Sequence, residues 1–138
     1  MERIKGANIL FKANGKQFAG VTDDSFNLTP TIVDSQTKDD GGVKHRTVNG
    51  YEYDFSISGV MSVAETGETE FLDNVEILKL AKGGTPVEFV YGNFSNNKGL
   101  QKGKAIISGY SESTPADGSN GTYTLNLVSD SDLTDATV

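Results

Sequence analysis

Between Tyr51 and Val63 the chain alternates apolar and polar residues almost without a break. Tyr51, Tyr53, Phe55, Ile57, Gly59, Met61 and Val63 recur at two-residue spacing, separated by Glu52, Asp54, Ser56, Ser58, Val60 and Ser62. Successive side chains of a strand point to opposite faces, so the spacing predicts one long strand with an oily face and an acidic, hydroxyl-bearing face. Such a strand is buried on one side and wet on the other, as in antiparallel sheets. Directly before it, Asp34 to Asn49 (DSQTKDDGGVKHRTVN) offers almost nothing to a core. Connections in compact domains are commonly about 4–6 residues, so a loop of that length implies binding or disorder. The expectation is a β domain that extends an arm towards a partner.

The rest of the chain supplies the partners of that strand. Asn8 to Ala13, Asn14-Gly15 and Lys16 to Val21 form a hairpin signal, because Asn-Gly tolerates the positive φ of a tight turn. A strand from about Ser25 to Val33 puts Phe26, Leu28 and Ile32 on one face and Ser25, Asn27, Thr29 and Thr31 on the other. One helix is predicted over about Glu70–Lys82, with Phe71, Val75 and Leu78 as its apolar stripe and Leu72 beside them. Glu70, Asp73 and Glu76 crowd its start and Lys79 and Lys82 its end, which suits the helix dipole. Gly83-Gly84 can cap it and Pro86 prevents its continuation. Ile77 and Leu80 fall off the stripe; they either close over a wide core or make an outer contact with a neighbouring subunit. Pro86 to Tyr91 reads as a strand, Gly92 to Gly103 as a polar loop, and Lys104 to Ser113 and Thr122 to Ser129 as the last strands. A Pro-Ala-Asp-Gly turn segment joins these two. The acidic tail 130–138 is expected to fray. With neither a repeat nor a boundary, residues 1–138 read as a single β domain.

Composition removes several function classes. The 138-residue chain has no cysteine, so neither disulfides nor thiolate zinc sites are available. Its first residues, MERIKGANILFKANG, lack a secretory h-region, and no run of about 18 apolar residues occurs. A soluble protein made in a cytoplasm, without membrane insertion, is expected. Twelve Lys+Arg against nineteen Asp+Glu give a net charge of −7, and no basic cluster is present to displace counterions from duplex DNA. The single histidine, His45, stands beside Arg46 with Asp39 and Asp40 nearby, but no nucleophile accompanies it, so it reads as a solvated loop residue. Neighbouring carboxylates such as Asp23-Asp24 point to opposite faces of a strand, and the chain has no Trp to build a sugar platform. Asp117 to Gly121 looks like the start of a calcium loop, but the twelfth position falls on Val128, which cannot ligate. No catalytic residue, cofactor or metal is expected. The polar strand faces, Glu52, Asp54, Ser56 and Ser58 with Ser25, Asn27, Thr29 and Thr31, fit two readings. They are an ordinary solvated surface, or a wall that nucleic acid slides past without sticking.

Taken in order, these elements resemble a known family. Lys5-Gly6 opening the Asn8–Ala13 strand, Asn14-Gly15-Lys16, and Thr37-Lys38-Asp39-Asp40-Gly41-Gly42 before a long alternating strand are similar to bacteriophage major tail tube proteins. Specifically, they resemble the TP901-1-like family of long-tailed phages and prophages. Gly103 to Ser108, the Pro115-Ala116-Asp117 turn and Gly121 to Leu125 agree with it, although Val43 stands where many members carry Trp. The resemblance implies a tail-tube-type β-sandwich or barrel with one flanking helix, non-enzymatic, that self-assembles into hexameric rings stacked into a tube. Its implied partners are itself and the tape-measure, initiator and terminator proteins. Double-stranded DNA passes through without specific binding, and the protein resides in the virion tail after synthesis in the host cytoplasm. On this reading Lys38, Asp39, Asp40, Gly41, Gly42, Val43, Lys44, His45 and Arg46 form an inter-subunit or inter-ring loop, and the two polar faces line the lumen. Two other readings stand beside it: the inner tube of a contractile tail, tailocin or secretion system, and a monomeric β-sandwich that binds a ligand or carbohydrate.

Overall fold

The computed structural model describes residues 3–6, 9–35, 41, 45–62, 71–95 and 98–136. Asn14 at φ 51° and Gly15 at φ 82° form the positive-φ turn joining β1 (Ile9–Ala13) to β2 (Lys16–Phe18). The Asn14 side chain accepts the Glu88 N–H at 3.1 Å, which ties this turn to the sheet. Next come β3 (Val21–Ser35), β4 (His45–Val60), β5 (Phe71–Leu72), helix α1 (Asn74–Gly83), β6 (Val87–Asn93), β7 (Lys98–Ser113), β8 (Thr122–Ser129) and β9 (Thr134–Asp135). They make one nine-stranded sheet in the order β3-β4-β8-β7-β6-β1-β2-β5, with β9 alongside β7. The mainly β fold with one helix agrees with the sequence pattern.

The core forms where β1 and β6 pass over the buried face of β4. Tyr53, Phe55, Ile57 and Gly59 are buried, while Glu52 and Asp54 between them are exposed. Phe55 sits at the centre: its ring lies 4.7 Å from Phe11 of β1, 5.0 Å from Phe89 of β6, 5.1 Å from Tyr91 of β6 and 5.0 Å from Phe26 of β3. The contacts with Phe11, Phe89 and Tyr91 are edge-on, the geometry that ring quadrupoles favour. Tyr123, Leu125 and Leu127 of β8 complete the layer. At the far end of β4 the chain crosses itself with no room to spare. A Cβ on Gly59 would lie 2.6 Å from the Gly20 carbonyl oxygen, so only glycine permits the crossing.

Four expectations change. The segment read as a loop over 34–49 is strand at both its ends: β3 and β4 continue as a ribbon through Val33↔Thr47, Asp34↔Arg46 and Ser35↔His45. The loop over 92–103 shrinks to a short connection between Asn93 and Lys98, because Gly92 (φ 148°) and Gly99 (φ 71°) let the chain reverse while Leu100 is buried. The helix begins at Asn74, since Asp73 caps it by accepting the Glu76 N–H at 3.0 Å, and Phe71–Leu72 pair with β2 instead. Its inner face is therefore Ile77, fully buried, and Leu80, half-buried against the core. Val75 and Leu78 face outwards; of the two readings of Ile77 and Leu80, closing over the core holds and the outer contact with a neighbouring subunit does not.

Replacing Phe55 with Ala removes the ring shared by three strands. The expected loss is about 3–5 kcal/mol of unfolding free energy, read from the midpoint of urea denaturation.

Candidate functional site

Three surface features arise from the way β3 and β4 leave the core. The first is an arm. Directly opposed residues share a face, so Leu28 with Tyr53, Pro30 with Tyr51 and Ile32 with Val48 carry the core-facing stripe outwards. Beyond Tyr53 it lies exposed among the described residues: Leu28 is 45% exposed, Ile32 58%, Val48 67% and Tyr51 37%. An extra β4 residue between Val48 and Tyr51, where Gly50 has φ 104°, bends the ribbon at its root. Further out Arg46 and Asp34 form an ion pair at 3.2 Å, too exposed to contribute more than about 1 kcal/mol. His45 and Arg46, expected in the loop, stand in β4 and are exposed, and Gly41 (φ 62°) is exposed as well. Lys38, Asp39, Asp40, Gly42, Val43 and Lys44 lie outside the described residues.

The second feature is the polar face. The register pairs Ser25 with Ser56, Asn27 with Asp54 and Thr29 with Glu52, so the two polar rows expected from sequence lie side by side on one surface. Ser58 joins them opposite Asp23, and Thr31 continues the β3 row opposite the bulge. Across β8 the same surface carries Thr122, Thr124, Asn126 and Val128, paired with Val60, Ser58, Ser56 and Asp54. Its charged residues on β3, β4 and β8 are Asp23, Glu52 and Asp54, all acidic.

The third feature is a pair of open edges, which sequence reasoning missed because strand order is not written in any one segment. Among the described residues nothing pairs with the outer side of β3. The β6 ladder ends at Val87↔Ala105, so β7 from Ile106 to Ser113 also has one side unpaired. Antiparallel partners alternate in turning both backbone groups towards and away from each other. The Met61 N–H donates to the Gly121 carbonyl and the Val60 N–H to the Gly20 carbonyl, which fixes that phase. Asp23, Ser25 and Asn27 then bond to β4, leaving Asp24, Phe26, Leu28 and Pro30 turned to the open side. By the same phase Tyr110 and Glu112 of β7 turn to its open side.

Side chains and the C-terminus brace this frame. Asn74 accepts the Ser62 N–H at 3.0 Å and donates to the Tyr110 hydroxyl at 2.7 Å, which donates in turn to Glu112 at 2.8 Å. Residues 130–136 make backbone hydrogen bonds to β7. Asp130 donates to the Lys104 carbonyl, Ala136 to that of Leu100, and β9 pairs with Gln101 and Lys102. Leu133 N–H donates to the Tyr51 hydroxyl at 2.8 Å, linking this strap to the root of the arm. A groove of about 740 Å³ beside the strap is lined by Glu88, Lys102, Lys104 and Asp132, and its one ring, Phe89, is buried.

No family model and no curated protein matches the chain. Solved structures do. The chain is similar to a subunit from the tail of an empty gene transfer agent particle with C6 symmetry, at TM-score 0.78 and 18% identity, covering 98% of this chain and 100% of the other. The chain has the fold of a tail tube subunit. A subunit from the virion of a native gene transfer agent particle matches at TM-score 0.73 and 17% identity, over 98% of this chain and all of that one. The SPP1 tail tube matches at TM-score 0.70 and 13% identity, over 99% of this chain and 81% of that one. With the tail-tube fold in place, the open edges and the bare arm occur in a chain that aligns with these subunits almost end to end.

Tyr51→Phe deletes the acceptor for Leu133 and leaves the ring in place. Hydrogen exchange should quicken at 131–136 and in the arm root, by about tenfold for a lost bond worth about 1.4 kcal/mol, with the core amides unchanged.

Proposed function

We propose that this chain is a structural subunit with no catalytic role, which closes into six-membered rings and stacks into a tail tube. The observation that carries the reading is the pair of open edges flanking β3-β4-β8-β7. An even number of antiparallel strands presents opposite directions at its two edges, so β3 of one copy meets β7 of the next antiparallel and closure pairs both of these edges. The polar face, with Asp23, Glu52 and Asp54, then lines the lumen, where carboxylates and small hydroxyls let double-stranded DNA pass without adhering. The arm, with Lys38 to Arg46 at its end, reaches an adjacent subunit or ring, and both signs of charge along it set register. Stacking is head to tail, a heterologous contact that propagates. Tape-measure, initiator and terminator proteins are the further partners. The protein works in a virion tail and is made in the host cytoplasm. A ligand-binding module is less well supported, since the groove by the strap offers no exposed aromatic platform.

The test is negative-stain microscopy of concentrated protein combined with cross-linking. The chain has no native cysteine, so Asn27→Cys/Ser111→Cys protein reports edge pairing directly. Oxidation of assembled material should give a ladder of covalent oligomers ending at the hexamer. Rings without any ladder would move the contact away from these edges, and a compact monomer at every concentration would remove the tube reading.

The arm gives a separate expectation. Ile32→Ser/Val48→Ser changes two exposed side chains and should alter stability by no more than about 0.5 kcal/mol per site. It should nevertheless abolish tubes. Tubes of normal length from this variant would exclude the arm from the interface.

A further inference from the structure

A subunit with two open edges and a bare apolar arm must still avoid pairing indiscriminately. Natural sheets blunt such edges with prolines, bulges and inward-pointing charges. β3 carries all three: Pro30, a bulge between Val21 and Asp23, and Asp24. Asp24 is the telling residue. It lies opposite Ile57, so its side chain is on the core side of the sheet, while its backbone groups face the open edge. Around it stand Leu10, Phe11, Gln17, Phe18, Val21 and Ile57, a lining with no cation. The titratable groups that act on it are Asp23, the preceding residue on the opposite face of its strand, and Tyr91 on β6. Neither a hydrogen bond nor an ion pair holds its carboxylate among the described residues. The opposite open edge carries an acid in the same sense: Glu112 is on the core side of β7, and its backbone faces outwards.

We propose that Asp24 is a brake on ring closure: a carboxylate at the β3 edge, without a cation beside it among the described residues, that must lose water, and meet the side of β7 bearing Glu112, each time two copies pair. The proposal rests on the edge-pairing reading above. A docking strand covers the half-buried carboxylate further, and desolvation without a partner opposes the charged form. Burial, with Asp23 adding to it, already holds the Asp24 carboxyl above the usual carboxylate range. Assembly raises it further, so pairing takes up a proton and is favoured by acid; the brake is strongest above the monomer's titration and fades as pH falls. An initiator that supplies a donor or a cation at this edge would release it at neutral pH.

The experiment compares the concentration at which rings and tubes first appear, by sedimentation velocity and microscopy, at about pH 7.5 and about pH 5. For the natural chain the onset should drop as pH falls. Asp24→Asn should assemble at about tenfold lower concentration at the higher pH, equivalent to about 1.4 kcal/mol, and should lose most of the pH dependence. Asp24→Ser serves as a second variant should the amide disturb folding. Asp117→Asn, in an exposed turn, makes the same change in net charge and should leave the onset in place. Assembly with one common onset for the natural chain and both Asp24 variants would overturn the brake while keeping the tube. An equal shift in Asp117→Asn would reduce it to bulk charge. Absence of assembly from every protein at both pH values would remove the edge-pairing reading, and the brake with it.

Discussion

The contact on which the rest depends is the ring cluster around Phe55. β4 is long and only its second half is buried, so one residue must bind three other strands to it. Phe55 does this by touching Phe26, Phe11, Phe89 and Tyr91 at once. Large rings remove more water-exposed area per residue than aliphatic side chains, and their edge-on packing adds a little more. Because the cluster secures this half of β4, the other half is free to leave the body of the protein. The exposed arm is thus a consequence of concentrating the core at one end of a pair of long strands.

That division explains why so much apolar surface stays bare. In a chain judged as an isolated monomer, exposed Ile32 and Val48 are a defect and the open sides of β3 and β7 an aggregation hazard. They become coherent if, as proposed, a second copy completes the fold. The braces fall where a partner would pull: Asn74 and Tyr110 stiffen the open stretch of β7, and the strap holds the arm root through Tyr51. The polar face needs no brace because the ladders beneath it are complete on both sides of β4 and β8.

Much of this was legible in the sequence where local chemistry decides the outcome. Alternation placed Tyr53, Phe55 and Ile57 inside and Glu52 and Asp54 outside, and Asn14-Gly15 marked its turn. Pairing between distant segments was harder to read. Asp34, Arg46, Thr47 and His45 look like loop residues because an arm strand buries neither face, and only backbone pairing makes them strand. The helix face was misread for a related reason: Phe71, counted in the stripe, and Leu72 beside it belong to a strand, and Asp73 with Glu76 was the capping signal for a later start. The C-terminal strap rests largely on backbone hydrogen bonds, which leave little trace in composition.

In the proposed ring, the even count of the four strands β3-β4-β8-β7 has a consequence for size. Since every copy offers one edge of each direction, rings of five, six or seven copies would satisfy the backbone equally well. Copy number must then be set by the angle between the two edges, which depends on strand twist and on the bulges in β3 and β7. In that ring the diameter of the channel would be encoded in two irregularities of the ladder, at Thr22 and Ser108, beside Asp23 and Asn126 of the polar face.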